Sequence, residues 1–551
     1  MTNKNRYYYL GQLIKLAFRE HKILYVLSVI SLLSVCLETI SMSFLSSLSG
    51  RNFIFFDSYF KSLDRNIIFI WVVGLFIIRF ISMLYVESRY TYIARKIQVL
   101  LSTQTLKKIF TEKLKVIEKK EIGYFISLAG DEASKSSEVI NSFLKVVNSA
   151  LIGALYFLMI VYFDFHIIYI LIAFFIINIL VVRQVLKKIV TLGNESLVLG
   201  RSANSIFLDT LNSLRTVKSF GIGKFIHEHY RSNMDEYQHT NYKIFSLSLF
   251  NKLFPLISLF VLFDLYVVYD YFGDKRLSVI YLLTMFFMLM RLFTIIGELL
   301  HSGSTVLSSL KLTNNILSFS ENIESGRTEE FKENIEVIRM QNVSFSHEEH
   351  NPIFSNVNLT FEKGKSYIVI GKTGTGKSTL LDLIMDFNSP SSGDIFVNDT
   401  NTKNIDEKGL TNKILYVSQE AIVFNNTVQY NIEVDNTYTT EQINKFLEVA
   451  DLSTTVASFN EGLEYVLNYR GTNISGGQKQ RLNLVRALVR EPDVLILDES
   501  VNALDSKTRI KVIGNIIRLY KDKIVIIVSH DKDILDLVDE VVDLDDLKRK
   551  A

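Results

Sequence analysis

The sequence holds a single cysteine, Cys36, so no disulfide can close within one chain; the residue sits inside an apolar run and reads as packing. Four prolines in 551 residues form no proline-rich tract, which leaves no polyproline spacer or docking segment. Low-complexity segments and short internal repeats are also missing. Charge of either sign is not in excess: 60 Lys and Arg stand against 58 Asp and Glu, a net of +2. Overall basicity therefore cannot drive nucleic-acid binding, and no nucleic-acid partner is expected.

What the chain does have is apolar surface. Apolar residues make up 48% and the mean hydropathy is +0.22, high for a soluble protein. Six apolar stretches, each about 18–25 residues, are long enough to cross a bilayer as helices. They run Ile23 to Leu45, Asn66 to Val86, Ser142 to Phe163, Ile167 to Val182, Leu247 to Tyr271 and Leu277 to Leu300. Buried helices of a large soluble protein would carry charged outer faces within these runs, and such charges are nearly absent. Lys4, Arg6, Lys15, Arg19 and Lys22 precede the first run, placing the N-terminus in the cytoplasm by the positive-inside rule. The first run lacks a small-residue cleavage site and reads as an uncleaved anchor. Links after the second and fourth runs are long and basic, and helices there would extend well into the cytoplasm.

From Ile335 onward the pattern changes to short β-branched runs alternating with amphipathic stretches, the mark of an α/β domain with a largely parallel sheet. In this half, Gly371-Lys372-Thr373-Gly374-Thr375-Gly376-Lys377-Ser378 lies between a strand-like run and a helix-like run that opens through Thr379. Glycines let backbone N–H groups converge on phosphates, and a helix N-terminus favours the same charge. In such a P-loop Lys377 reaches the β- and γ-phosphates of ATP and Ser378 ligates Mg²⁺. Further on, the apolar run Val494–Leu497 ends in Asp498 and Glu499. Asp498 is suited to hold Mg²⁺, and Glu499 to polarise an attacking water.

Between them Asn473-Ile474-Ser475-Gly476-Gly477-Gln478 opens another helix. This segment resembles the signature of ABC ATPases, with Ile474 in place of the usual leucine. Other markers of that family follow in order: Gln419 in YVSQE resembles the Q-loop, Asp505 closing NALD the D-loop, and His530 the switch histidine. The resemblance implies that two ATPase domains pack head to tail, with ATP held by the P-loop of one and covered by Ser475, Gly476, Gly477 and Gln478 of the other. It implies Glu499 as general base, His530 on the γ-phosphate, and Gln419 at the metal and as the link to the membrane half. It also places His347, where the family usually has a tyrosine, against adenine with Phe345 nearby, and Tyr469 where exporters often carry a coupling glutamate.

Across essentially the whole chain the order resembles an exporter-type ABC half-transporter. The fold class expected is a multi-domain membrane protein, a six-helix all-α transmembrane domain followed by an α/β P-loop ABC ATPase domain. The domains are expected over 1–315 and 335–551, with a linker over 316–334. Coupling helices are expected near Glu121 to Ala133 and near Phe207 to Gly221. Intramembrane charges are costly and usually face a cavity or a partner, which singles out Glu38, Arg79, Asp264, Arg291 and Glu298. Tyr281, Phe286 and Phe293 are candidates to line the same space. No protease domain is expected ahead of the first span, which argues against a leader-cleaving peptide exporter. The function expected is a homodimeric, ATP- and Mg²⁺-dependent exporter or flippase in the cytoplasmic membrane, moving a peptide or secondary metabolite, or a lipid or lipid-linked glycan. The alternatives are a regulatory membrane ATPase that gates a partner, and an importer on the same fold.

Overall fold

The computed structural model describes residues 8–550 apart from 21, 25, 28, 32, 35–36, 38–64, 113, 164, 166, 273–278, 322–330, 347–351, 406, 435–436 and 530. The chain divides into two compact units, 1–112 with 119–323, and 113–118 with 324–551.

The first unit is helical. Its long elements are α1 (Tyr8–Glu20), α2 (Arg65–Thr111), α3 (Ala133–Phe163), α4 (Ile167–Asn212), α5 (Gly223–Phe272) and α6 (Val279–Glu321). At 1.5 Å per residue α2, α4, α5 and α6 are roughly 65–75 Å long, twice a bilayer's hydrocarbon core. Their apolar runs therefore continue as polar helical extensions. Among the described residues three stretches are long and apolar enough to span a membrane by length and composition: Ile122–Tyr162, Gly223–Val268 and Met285–Ser320. The second and fourth expected spans lie within α2 and α4. Part of the first, with Cys36 and Glu38, lies outside the described residues. On α2, Ile77, Ile78, Phe80, Ile81 and Leu84 are all exposed, where a water-facing helix would carry charge. That surface suits hydrocarbon.

Two apolar cores hold the helices together. One gathers Leu13, Ile93, Ile97, Leu128, Ile140, Leu310 and Ile316 from α1, α2, α6 and the chain around α3. The other gathers Tyr156, Phe174, Leu259, Met285 and Phe293. Phe293 packs on Phe174 with ring centroids 4.3 Å apart, and Phe286 on Phe263 at 4.9 Å. Both aromatics expected at a cavity are thus engaged in helix packing, and the side chain of Tyr281 lies outside the described residues. Gly297 lets α6 approach α5: a Cβ there would stand 2.2 Å from the Lys252 carbonyl oxygen. Pro255 sits inside α5, and one turn on, Ser258 Oγ donates to the carbonyls of Phe254 and Pro255 at 2.9 and 2.7 Å.

The segment expected to carry the first coupling helix is built into this unit. A helix over Ile122–Ser127 runs into a single π-turn, Leu128–Glu132, before α3. The π-turn turns Glu132 fully inward. Its carboxylate accepts from Arg201 Nε and Nη2 at 2.9 and 2.6 Å, Ser127 Oγ at 3.3 Å and Asn315 Nδ2 at 3.5 Å, drawing α4 and α6 to one point. Arg201 also lies over the Tyr124 ring, 4.5 Å from its centroid. Removing one partner of a buried pair strands a charge, so Arg201→Ala should destabilise the helical unit by about 3–5 kcal/mol, read as a lower thermal midpoint of the purified chain.

The second unit carries two sheets. The antiparallel one runs β2–β1–β4–β5, from β1 (Val337–Ser346), β2 (Pro352–Glu362), β4 (Ser392–Val397) and β5 (Thr400–Asn401). The parallel one runs β6–β7–β8–β3–β9, from β3 (Ser366–Ile370), β6 (Ile414–Val417), β7 (Val494–Asp498), β8 (Ile524–Val528) and β9 (Glu540–Asp543). SYIVI, VLILD and IVIIV are continuous apolar runs because helices cover both faces of these strands. Three helices matter for the site: α7 (Lys377–Ile384), α8 (Gly476–Leu488) and α9 (Ser506–Leu519).

Candidate functional site

Parallel pairing brings the C-terminal ends of β3, β8 and β7 to one edge of the sheet. Val369 is level with Val528, and Val528 with Asp498, so the P-loop starts two strands, roughly 10 Å, from the carboxylates that end β7. Ligands of open α/β sheets bind in this crevice.

The loop after β3 is shaped by its glycines. Gly376 is the N-cap of α7 with φ +100°, and a Cβ there would meet Ile353 Cγ2 at 2.5 Å and Phe354 Cζ at 2.9 Å. Thr375 Oγ1 donates to the Lys372 carbonyl at 2.8 Å, and Lys377 Nζ donates to the carbonyls of Gly371 and Lys372 at 2.8 and 3.2 Å. Lys377 thus already lies across the loop. Lys372, Thr373, Gly374 and Ser378 are exposed while Thr375 and Thr379 are buried, which leaves an open rim on an anchored base.

At the end of β7 the two carboxylates have different surroundings. Asp498 Oδ2 accepts from Tyr416 Oη at 2.7 Å. Burial, and after it this bond to a carboxylate, push the Tyr416 phenol up, so it stays a donor. Glu499 has φ +47°, a left-handed conformation that costs a non-glycine residue about 1–2 kcal/mol. Its N–H donates to the Val528 carbonyl at 3.1 Å, and its Oε2 accepts from Gln419 Nε2 and Asn502 Nδ2, each at 3.0 Å. Strain held in place by neighbours on β8 and two flanking loops is what a positioned functional group looks like.

The signature segment forms a capping box. Gln478 N–H donates to Ser475 Oγ at 3.2 Å and Ser475 N–H to Gln478 Oε1 at 2.7 Å, with Ser475 and Gly476 exposed at the start of α8. Gly477 packs against the neighbouring loop, where a Cβ would stand 3.1 Å from Leu504 Cδ2. Asp505 caps α9 by accepting from Thr508 N–H at 3.1 Å, and Thr508 holds its carboxyl below the usual range. Asp505 therefore serves a helix start, in addition to anything it does toward nucleotide.

The donor set fits Mg²⁺. One carboxylate, Asp498, and one exposed hydroxyl, Ser378, as oxygen donors would leave an ion to take its other oxygens from phosphate and water, which is how Mg²⁺ is commonly held. Among the described residues no group of three His, Cys, Asp or Glu side chains forms a closed metal cage. Gln419, expected at the metal, has its amide nitrogen on Glu499.

His347 and His530 lie outside the described residues. Phe345, expected near adenine, is buried in the sheet, level with Phe354. Tyr469 is 68% exposed beside Arg470. Tyr416 stands within YVSQE and Asn502 opens NALD, yet only the structure gives them partners. Asp545, which no local motif marks, accepts at Oδ2 from the P-loop N–H of Lys372 at 3.3 Å. In the helical unit Arg79, Arg291 and Glu298 line one cavity, whereas Asp264 lies elsewhere on α5.

A nucleotide-binding α/β unit and a span-bearing helical unit in one chain define an ATP-linked membrane protein. Residues 354–502 match the ABC transporter family model, and residues 28–296 match the ABC transporter transmembrane region. The chain belongs to the ABC transporter family, with both regions fused. It is 29% identical to the heterocyst differentiation ATP-binding protein HepA of a Nostoc species, over 61% of this chain and 56% of that protein. It is 28% identical to the microcin-J25 export ATP-binding/permease protein McjD of Escherichia coli, over 64% of this chain and 62% of that protein. The matches thus span less than two thirds of these relatives' lengths. A solved bacterial Atm1-family ABC exporter with ATP bound shares the fold over 97% of each chain, with a TM-score of 0.80 and 17% identity. The protein is a multi-pass membrane protein of the exporter-type fold.

Proposed function

We propose that the chain hydrolyses ATP to move an amphipathic solute outward across the cytoplasmic membrane, as a homodimer of six-span subunits with the ATPase units in the cytoplasm. The observation that carries this reading is the end of β7: Asp498 held by Tyr416, and Glu499 held in a left-handed conformation by Gln419 and Asn502, beside a formed P-loop. The P-loop amides and Lys377 bind the phosphates. Glu499 accepts the proton of the attacking water, and the two amides on its Oε2 fix the carboxylate that receives it. Mg²⁺, held by Ser378 and Asp498, would neutralise phosphate charge. The microcin-J25 export named for the similar McjD supports an exported solute here.

The dimer reading rests on Ser475 and Gly476, an exposed helix start. A second subunit's nucleotide would meet those N–H groups. Ser475→Ala should cost about 1 kcal/mol through the lost cap, leave ATP binding intact, and remove most turnover. Unimpaired turnover would overturn the dimeric site. The test of function is ATP-driven uptake of a fluorescent amphipath into inside-out vesicles containing the wild-type chain or Glu499→Gln. Equal accumulation in the two would end the transport reading.

A further inference from the structure

We infer that a charged cavity in the helical unit is a recognition site for an oxyanion head, carboxylate or phosphate, on an amphipathic molecule; this rests on the transporter reading above and names its substrate class. The cavity, of about 170 Å³, lies among α2, α3, α6 and the first span. Its described lining carries three cations, Arg79, Lys145 and Arg291, against two carboxylates, Glu87 and Glu298. Lys145 is ion-paired with Glu87, and the described lining as a whole carries one more cation than carboxylates.

Three observations point to a ligand. First, the charges stand in apolar stretches, where ionisable groups are costly and mark a polar path. Second, they converge from three helices: Arg79 from α2, Lys145 from α3, and Arg291 and Glu298 two turns apart on α6. Third, the wall between them is hydrogen-bonding, with Ser31, Ser34, Asn148 and Thr294. Ser31 Oγ donates to Asn148, tying the first span to α3, and Ser34 Oγ donates to the Ser31 carbonyl at 2.7 Å. Guanidinium groups present paired donors that match carboxylate and phosphate oxygens. Met83, Val86, Tyr90, Ile152 and Ile295 line the rest, which suits an alkyl or aromatic body behind the head. A cationic head would meet an excess of like charge.

The single tryptophan supplies a reporter. Trp71 lies on α2 eight residues before Arg79, roughly 12 Å along the axis. Energy transfer from Trp71 to dansyl-undecanoic acid and to dansyl-undecyl phosphate would be followed in nanodiscs of phosphatidylcholine holding the full chain, without nucleotide. The uncharged methyl ester of the acid corrects for bilayer partition. The expected result is saturable transfer for at least one charged probe and not for the ester. It should weaken tenfold or more in Arg79→Gln or Arg291→Gln, recover only in part in Arg291→Lys, which keeps the charge and loses the fork, and hold or tighten in Glu298→Gln. Displacement of the probe by phosphatidic acid in the disc would make the source a lipid headgroup, and displacement by soluble decanoate a free solute; either supports the site. Equal transfer for acid, phosphate and ester, or wild-type affinity in both glutamine variants, would overturn it. ATP turnover measured in the same discs separates the two readings. Normal turnover without anion binding removes only the cavity's role, and anion binding without turnover removes the ATP-driven one.

Discussion

The Glu499→Gln substitution is expected to lower steady-state ATP turnover by about 10²–10⁴-fold while ATP still binds. The glutamine amide keeps the length of the side chain and one oxygen to accept from Gln419 and Asn502, so the left-handed turn after β7 has no steric reason to change. What it loses is a basic oxygen. A water activated beside Glu499 passes its proton to a carboxylate, and an amide has no comparable affinity for it. The effect should therefore fall on turnover and spare binding. Phosphate release at saturating ATP, with equilibrium binding of a fluorescent ATP analogue alongside, reads both quantities. Turnover within a few-fold of wild type would remove Glu499 as base and leave its strained geometry without that explanation. A parallel loss in binding would instead mean that the turn had collapsed. Asn502→Ala offers a milder comparison, since it deletes one of the two amides on Oε2 and leaves the base. Its turnover should fall less than that of Glu499→Gln.

The order of P-loop, signature and strand-end carboxylates was legible because each is a short local pattern. A glycine-rich turn needs residues without Cβ, and a strand ending in Asp-Glu needs only its own apolar run. Contacts between distant segments were not legible in the same way. Tyr416 and Asp498 are 82 positions apart, and nothing local to YVSQE says that its tyrosine faces the metal-side carboxylate. Phe345 is buried in the sheet, opposite Phe354, a packing role that no local pattern announces. In the helical half, hydropathy marked the spans because bilayer burial is a bulk property. It passed over Lys145, within an apolar window, and Glu87, one residue beyond another, which the fold brings together. Within the stretch from Glu121, expected by resemblance to couple, it gives no sign that the carboxylate of Glu132 reaches across to Arg201 and Asn315. Pairing of that kind depends on which helices meet.

Lys377→Met should weaken ATP binding by about 10²-fold or more, because it removes charge-assisted hydrogen bonds to two phosphates, each worth about 1.5–3 kcal/mol. The structure adds a second consequence. Lys377 Nζ donates to the carbonyls of Gly371 and Lys372 across the loop, so the side chain also ties the loop together. Methionine has a similar length and no donor, and the loss of these bonds should cost about 1 kcal/mol of stability or less, since the rim is open to water. Binding should thus fall far more than thermal stability, and the two measurements together distinguish a missing phosphate contact from a misfolded loop. Lys377→Arg is the sharper control. It keeps the charge, but a planar fork replaces a compact ammonium that now sits 2.8 Å from the Gly371 oxygen. If charge alone mattered, arginine would restore most of the affinity. The geometry predicts that it will not, because a planar fork cannot put one nitrogen on both the Gly371 and Lys372 carbonyls as the compact ammonium does. Recovery to near wild-type affinity in Lys377→Arg would show that the cradle yields to its occupant, and that the glycines after β3 supply flexibility more than shape.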